Sequence, residues 1–236
     1  MDWNNDGLHD LLVGDGAGYI HIFLNTNANA EPRLVGDTPI EADGKEINVG
    51  GRAAPVADDW NGDGMKDLLV GNFDGDIRVY LNKGTDAAPL FGSSYNLKLR
   101  NGKDVKIGSR VAPRIFDWDR DGVKDILAGE FEGYIYFLRN TGTNSAPVFD
   151  GYEKLLMATG KPLLYSEKEG GHRTRLDVTD WNNDGFYDIL AGGTDGKVIL
   201  YAGSHEPLYL GMKERFERTE IAEKIMRRLK RLRGRK

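Results

Sequence analysis

The sequence predicts an all-β fold: a β-propeller built from four repeats of about four antiparallel strands each, followed by a basic amphipathic α-helix at the C-terminus. Three observations carry that reading. One nine-residue segment recurs four times in a single register. The residues after it recur as short apolar runs punctuated by turns. The last stretch of the chain changes composition altogether.

The recurring segments are Asp2–Asp10, Asp59–Asp67, Asp117–Asp125 and Asp180–Asp188, and they start 57, 58 and 63 residues apart. They align without gaps as Asp-Trp-Asn/Asp-x-Asp-Gly-x-x-Asp. All four tryptophans of the chain, Trp3, Trp60, Trp118 and Trp181, fall at the second position. Self-similarity at a fixed period marks a repeat architecture.

After each segment comes an apolar run such as Leu68-Leu69-Val70-Gly71 or Ile126-Leu127-Ala128-Gly129, which reads as a buried strand. A turn follows (Phe73-Asp74-Gly75, Phe131-Glu132-Gly133, Thr194-Asp195-Gly196), then an alternating strand in which Ile77, Val79 and Leu81 share one face. A loop ending in Pro32, Pro89 or Pro147 leads to a third extended segment and a Gly-Lys turn; Asp43-Gly44 and Asn101-Gly102 are strong hairpin signals. A Gly-x-Arg step (Arg52, Arg110, Arg173) then opens the strand that runs into the next segment. Four strands in one such unit is the arithmetic of a propeller blade. The first unit lacks the strand that precedes the other three segments, and only two clear strands, around Ile189–Gly192 and Lys197–Ala202, follow the fourth. The chain is therefore expected to be cut from a longer array or completed by another subunit.

Composition limits the function. Thirteen aspartates lie in the four segments, and without them the net charge of −5 would be +8, so acidity is concentrated in a few short loops. The chain has no cysteine, which excludes a disulfide framework. No apolar run reaches the length of a membrane span. The opening residues have neither a basic region nor an apolar core, so no signal peptide is expected there. The four histidines (His9, His21, His172, His205) occupy unrelated repeat positions, so no shared catalytic set is visible.

The segments themselves predict a hard-cation site. Alternate residues of a tight loop turn their oxygens toward a common centre, and glycine at the sixth position permits the reversal. Positions 1, 3, 5 and 9 offer carboxylate or amide oxygens, and position 7 a backbone carbonyl. The expected ligands are Asp2, Asn4, Asp6, Leu8 and Asp10; Asp59, Asn61, Asp63, Met65 and Asp67; Asp117, Asp119, Asp121, Val123 and Asp125; and Asp180, Asn182, Asp184, Phe186 and Asp188. Unneutralised, such carboxylates repel one another. Calcium, with its flexible oxygen coordination, suits them better than magnesium, and no His/Cys set invites zinc. About four Ca²⁺ ions are expected, one per repeat. The third loop, with four carboxylates, is expected to bind most tightly. An EF-hand is excluded, because position twelve is Val13, Val70, Ala128 or Ala191 within a strand.

At these residues the chain resembles the FG-GAP/VCBS repeat family, which includes the propeller heads of integrin α chains and many bacterial surface proteins. The resemblance spans roughly residues 2–205. It implies a propeller with the calcium loop joining the first two strands of each blade, and an extracellular or cell-surface setting where calcium is abundant. The family's Gly-Ala-Pro landmark is only partly kept, as Arg-Ala-Ala-Pro55 and Arg-Val-Ala-Pro113.

Residues 1–210 are thus read as the propeller repeats and 211–236 as a separate basic tail. From Lys213 onward eleven basic residues face four acidic ones, and Ile221, Ile225, Leu229 and Leu232 form a helical stripe. The function expected is a non-catalytic adhesion, protein-binding or glycan-binding module, with self-association and no nucleic-acid partner. The recurrent Arg52, Arg110 and Arg173 are read first as structural partners of a loop aspartate, with an anionic sugar at one end of the ring as the alternative. Two alternatives accompany it: a structural subunit assembling into a larger ring, fibre or surface array through open edges and the tail, and part of a propeller-type polysaccharide lyase.

Overall fold

The structure, a computed structural model, describes residues 1–157, 159–166, 172–203 and 209–217. All regular structure among these residues is β.

The first sheet pairs β1 (Leu11–Gly14), β2 (Ile20–Asn25) and β3 (Leu34–Pro39) in sequence order. A ribbon of β4 (Glu41–Ala42) and β5 (Lys45–Glu46) closes at Asp43-Gly44, where both residues have positive φ, 51° and 71°, as the predicted Asp-Gly hairpin requires. The second sheet runs β6 (Ala54–Asp58), β7 (Asp67–Gly71), β8 (Ile77–Tyr80) and β9 (Tyr95–Asn96). The third repeats it with β10 (Ala112–Phe116), β11 (Asp125–Gly129), β12 (Ile135–Leu138) and β13 (Glu153–Lys154). The fourth contains β14 (Leu156–Met157), β15 (Arg175–Thr179), β16 (Asp188–Gly192), β17 (Lys197–Ala202) and β18 (Tyr209–Glu217), in spatial order β14-β18-β17-β16-β15. Each acidic segment after the first joins the first two strands of its sheet, as β6–β7, β10–β11 and β15–β16. The registers match: Asp58 faces Asp67, Phe116 faces Asp125 and Thr179 faces Asp188.

The described residues form two compact units, Met1–Glu130 with Tyr136–Glu153, and Phe131–Ile135 with the residues from Lys154 on. In the first unit the period-two alternation buries both faces of a strand. On β7, Leu68 and Val70 join a cluster with Ile20, Ile22 and Val49 of the first repeat. The intervening Leu69 joins Ile126 and Ala128 of the third. The first three sheets therefore stack through their faces, with fully buried side chains worth about 1.5–3 kcal/mol each. Close stacking also accounts for the glycine that ends the apolar run. A Cβ on Gly71 would lie 2.2 Å from the Val111 carbonyl oxygen, and one on Gly14 would lie 2.3 Å from that of Ala53.

In the second unit β14 pairs with β18 in parallel, and β17 pairs with it antiparallel, with a register shift between Leu200 and Tyr201. This corrects the reading of the C-terminus. Residues 211–217 belong to a strand, not to a helix, so a third strand does follow the fourth loop. The open edge of β17 offers a row of backbone donors and acceptors, and pairing satisfies them. The segment's own alternation, with Leu210, Met212 and Phe216 two or four apart, was the strand signal. The rest of the expected helix, 218–236, lies outside the described residues.

Candidate metal centre

All four acidic loops adopt one backbone geometry. Glycine at position 6 has φ between 85° and 89° (Gly7, Gly64, Gly122, Gly185). Position 4 is also left-handed, at Asn5, Gly62, Arg120 and Asn183, with φ from 59° to 77°. Two left-handed residues separated by one turn the side chains between and around them toward one side of the loop. The amide of position 6 donates to the position-1 carboxylate in each loop: Gly7 to Asp2 at 2.9 Å, and Gly64, Gly122 and Gly185 to Asp59, Asp117 and Asp180 at 3.0 Å. The amide of position 7 donates to position 5: Leu8 to Asp6 at 2.8 Å, and Met65, Val123 and Phe186 to Asp63, Asp121 and Asp184 at 2.9 Å. The loop amides thus hold the carboxylates in place as acceptors.

Position 9 is different. Asp10, Asp67, Asp125 and Asp188 are buried, and each binds two backbone amides. One belongs to the tryptophan of its own loop: Trp3 (2.7 Å), Trp60 (3.1 Å), Trp118 (3.1 Å) and Trp181 (2.7 Å). The other comes from the end of the next strand: Asn25 (2.8 Å), Asn82 (2.7 Å), Asn140 (2.8 Å) and Gly203 (2.9 Å). Burial pushes the Asp67 carboxyl up to about 6, against the pull of the Asn82 amide and with a push from the Asp63 charge. Burial likewise raises Asp125 to about 6, with Asp119 and Asp121 adding to it.

In three loops the amide side chain at position 3 donates to the carboxylate at position 5: Asn4 to Asp6 (3.0 Å), Asn61 to Asp63 (2.8 Å) and Asn182 to Asp184 (2.6 Å). The third loop has Asp119 there, and its carboxylate meets the Arg139 guanidinium at 2.6 Å instead. In this loop oxygens of Asp117, Asp119 and Asp125 lie within 4.8 Å of one another. Asp117 Oδ1 is buried with no hydrogen-bond partner. A donor set of hard oxygens with one orphaned buried carboxylate oxygen fits a calcium ion, not a soft metal. Among the described residues it is Asp117, Asp119 and Asp125 of the third loop whose carboxylates the structure brings together in this way; in the other loops the predicted side chains are tied by the amide bonds above. The position-7 residues Leu8, Met65, Val123 and Phe186 follow directly on the glycine, where a carbonyl ligand is expected.

Two supporting sets escaped the sequence reading. Asn25, Asn82 and Asn140 are buried, and their side-chain oxygens accept loop amides, such as those of Gly84 and Leu90 at 2.9 Å each. Asn29, Asp86 and Asn144, each three residues before the recurrent proline, clamp the acidic loop from outside. Asn29 accepts from the His9 amide (2.5 Å) and donates to the Gly7 carbonyl (3.1 Å); Asn144 does the same with Lys124 (2.7 Å) and Gly122 (3.1 Å). Asp86 cannot donate. It accepts instead from the Lys66 amide (2.7 Å) and ammonium (2.6 Å), which together outweigh its burial and hold its carboxyl below the usual range. The recurrence of Asn/Asp at those two offsets was the available signal.

Successive repeats are tied together at these loops. Lys66 Nζ reaches Asn5 of the first loop (2.6 Å), and Lys124 Nζ reaches Asp58 (2.5 Å) and the Asp59 carbonyl beside the second. Trp60 stacks on Phe149 of the following repeat with ring centroids 6.1 Å apart, and Trp3 packs near Phe91 at 6.4 Å. The recurrent Arg52, Arg110 and Arg173 all sit at φ of 50–55°, and the Arg110 guanidinium lies 5.1 Å from the Phe73 ring centroid.

Loops of this geometry on stacked antiparallel sheets define a class of repeat proteins, and the comparisons place the chain in it. Residues 59–128 match the family model of the FG-GAP-like repeat. This stretch of the chain is an FG-GAP-like repeat. It is also 30% identical over 183 residues to integrin alpha-4 of Xenopus laevis, an alignment covering 68% of this chain and 16% of that protein. The chain thus spans about a sixth of the length of this relative.

Proposed function

We propose that the chain is a calcium-stabilised β-propeller module of the adhesion type, non-catalytic, which works outside the cell or at its surface and binds a protein or glycan ligand. The observation that carries it is the fourfold loop, preset by its own amides, with Asp117 Oδ1 left buried and unbonded among carboxylates that a dication would join. Stacking of successive sheets through both faces supports the propeller. The likeness to an integrin α chain supports adhesion and the extracellular setting, where millimolar calcium keeps modest-affinity sites filled. Among the described residues no helix is long and apolar enough to cross a membrane.

Self-association is a second reading. Its support is β3, an edge strand exposed along most of its length, with Leu34 and Val35 about 40% exposed.

Thermal melting and light-scattering mass in calcium and in EGTA test both readings. At a calcium concentration a hundred times the dissociation constant, one filled site adds about 2.7 kcal/mol, which raises the melting temperature of a domain this size by about 5–10 °C. A melting temperature indifferent to chelation would reduce the loops to ordinary turns. A mass above 26.2 kDa supports assembly; a monomeric mass removes it and leaves the calcium reading standing.

A further inference from the structure

We propose that Arg139 is a built-in counter-ion of the third loop, occupying its carboxylates when calcium is absent and yielding when calcium enters; this rests on the calcium reading above. The third loop differs from the others in three charged residues, Asp119 at position 3, Arg120 at position 4 (Asn5, Gly62 and Asn183 elsewhere) and Arg139 outside the loop, and it is the Arg139 guanidinium that meets the added carboxylate. At position 3 it has Asp119 where Asn4, Asn61 and Asn182 stand. At the residue just before the amide donor to the position-9 aspartate it has Arg139, where the other repeats have Leu24, Leu81 and Ala202. The Arg139 Nε lies 2.6 Å from Asp119 Oδ2, and its Nη2 lies 3.6 Å from Asp121 Oδ2.

The guanidinium thereby stands in for the asparagine amide of the other loops, which donates to position 5. Asp119 cannot donate and would repel Asp121. Arg139 thus offsets the charge that Asp119 adds to the three carboxylates present in every loop. Ligand charge tunes calcium affinity, so a fourth carboxylate that arrives with its own cation adds little. Loop three then fills alongside its neighbours instead of ahead of them, and its advantage appears only once Arg139 is removed. The Asp119 side chain is 14% exposed and Arg139 57%, so the pair lies at the surface and salt weakens it.

The test is a calcium titration of the full chain by NMR, following the Gly122 amide for loop three and the Gly64 amide for loop two. Each donates to the position-1 aspartate of its own loop. In Arg139→Leu, the dissociation constant read at Gly122 falls about two- to fivefold at low salt, the range an exposed ion pair can supply, and Gly64 titrates as before. Arg139→Lys keeps a cation and stays close to the parent. The double variant Asp119→Asn/Arg139→Leu gives loop three the ligand side chains of loop two, with Arg120 and Val123 kept, and moves the Gly122 curve back toward that of Gly64. An unchanged or weakened Gly122 titration in Arg139→Leu overturns the inference, weakening being the sign of a residue that supports bound calcium. If no loop glycine responds to calcium in any variant, the calcium reading fails and the inference with it. Melting in EGTA confirms that each variant is folded.

Discussion

Position 9 and position 5 of each loop carry the same residue type and differ in everything else. Asp67 is fully buried and joins its own loop to the residues just past β8 by accepting the Trp60 and Asn82 amides. Asp63, four residues earlier, is exposed and accepts amides only from within its own loop or an adjacent side chain. The first fastens the loop to the residues that follow β8; the second, on the calcium reading a ligand, has a local role that any polar acceptor could fill. If the calcium reading holds, one motif combines a folding element with a binding element, and mutation should separate them.

The largest effect is expected from Asp67→Ala in EGTA. It strands two buried amide donors, each costing about 1–3 kcal/mol, so a destabilisation of about 2–5 kcal/mol should appear in denaturant melts. Asp67→Asn, which keeps one acceptor oxygen, should lose less. Equal, small losses for both variants would mean that the buried bridge carries no stability.

The same burial predicts a pH effect of opposite sign to the usual acid lability. Asp67 and Asp125 titrate near 6 in the folded chain and near 3.8 in the unfolded one. The folded state binds more protons across that window, so stability rises as pH falls through 6 toward 4 and is lost as pH rises through 6. The calcium-free chain should therefore melt higher at pH 5 than at pH 7.5, by about 1–3 kcal/mol. Saturating calcium should flatten or invert the trend, since it favours the ionised carboxylates. A calcium-free chain whose melting temperature fell between pH 7.5 and pH 5 would show that burial does not govern these groups.

The contrast between the two positions also explains what was legible in the sequence. Strands β6 to β8 and β10 to β12 were legible, because their period-two alternation and their turns repeat from unit to unit. The four acidic loops were legible for the same reason. The bridging role of position 9 was not, because nothing local distinguishes Asp67 from Asp63; burial comes from the sheet, through partners fifteen residues away. The clamp by Asn29 and Asn144 was hidden in a loop read only for its proline. Strand β18 was misread because residues 211–217 were grouped with the basic, helix-patterned stretch that follows them, and the unpaired edge of β17 that recruits the segment is a tertiary fact. The Arg139–Asp119 pair needed both the repeat alignment and the fold, since the residues are far apart in sequence and each looks unremarkable alone.

The smallest effect on the calcium-free chain, and the sharpest separation, is expected from Asp63→Asn. Asparagine keeps a side-chain oxygen to accept from the Met65 amide and removes a charge from a crowded loop. In EGTA its stability should lie within about 0.5 kcal/mol of the parent, as for most surface substitutions. In calcium it should lose the stabilisation that the second loop contributes, visible as a smaller melting shift and a Gly64 amide that no longer titrates. Asp67→Ala gives the reverse pattern: a large loss already in EGTA. If Asp63→Asn destabilised the calcium-free chain as much as Asp67→Ala does, positions 5 and 9 would be doing one job, and the division of each loop into a folding part and a binding part would not hold.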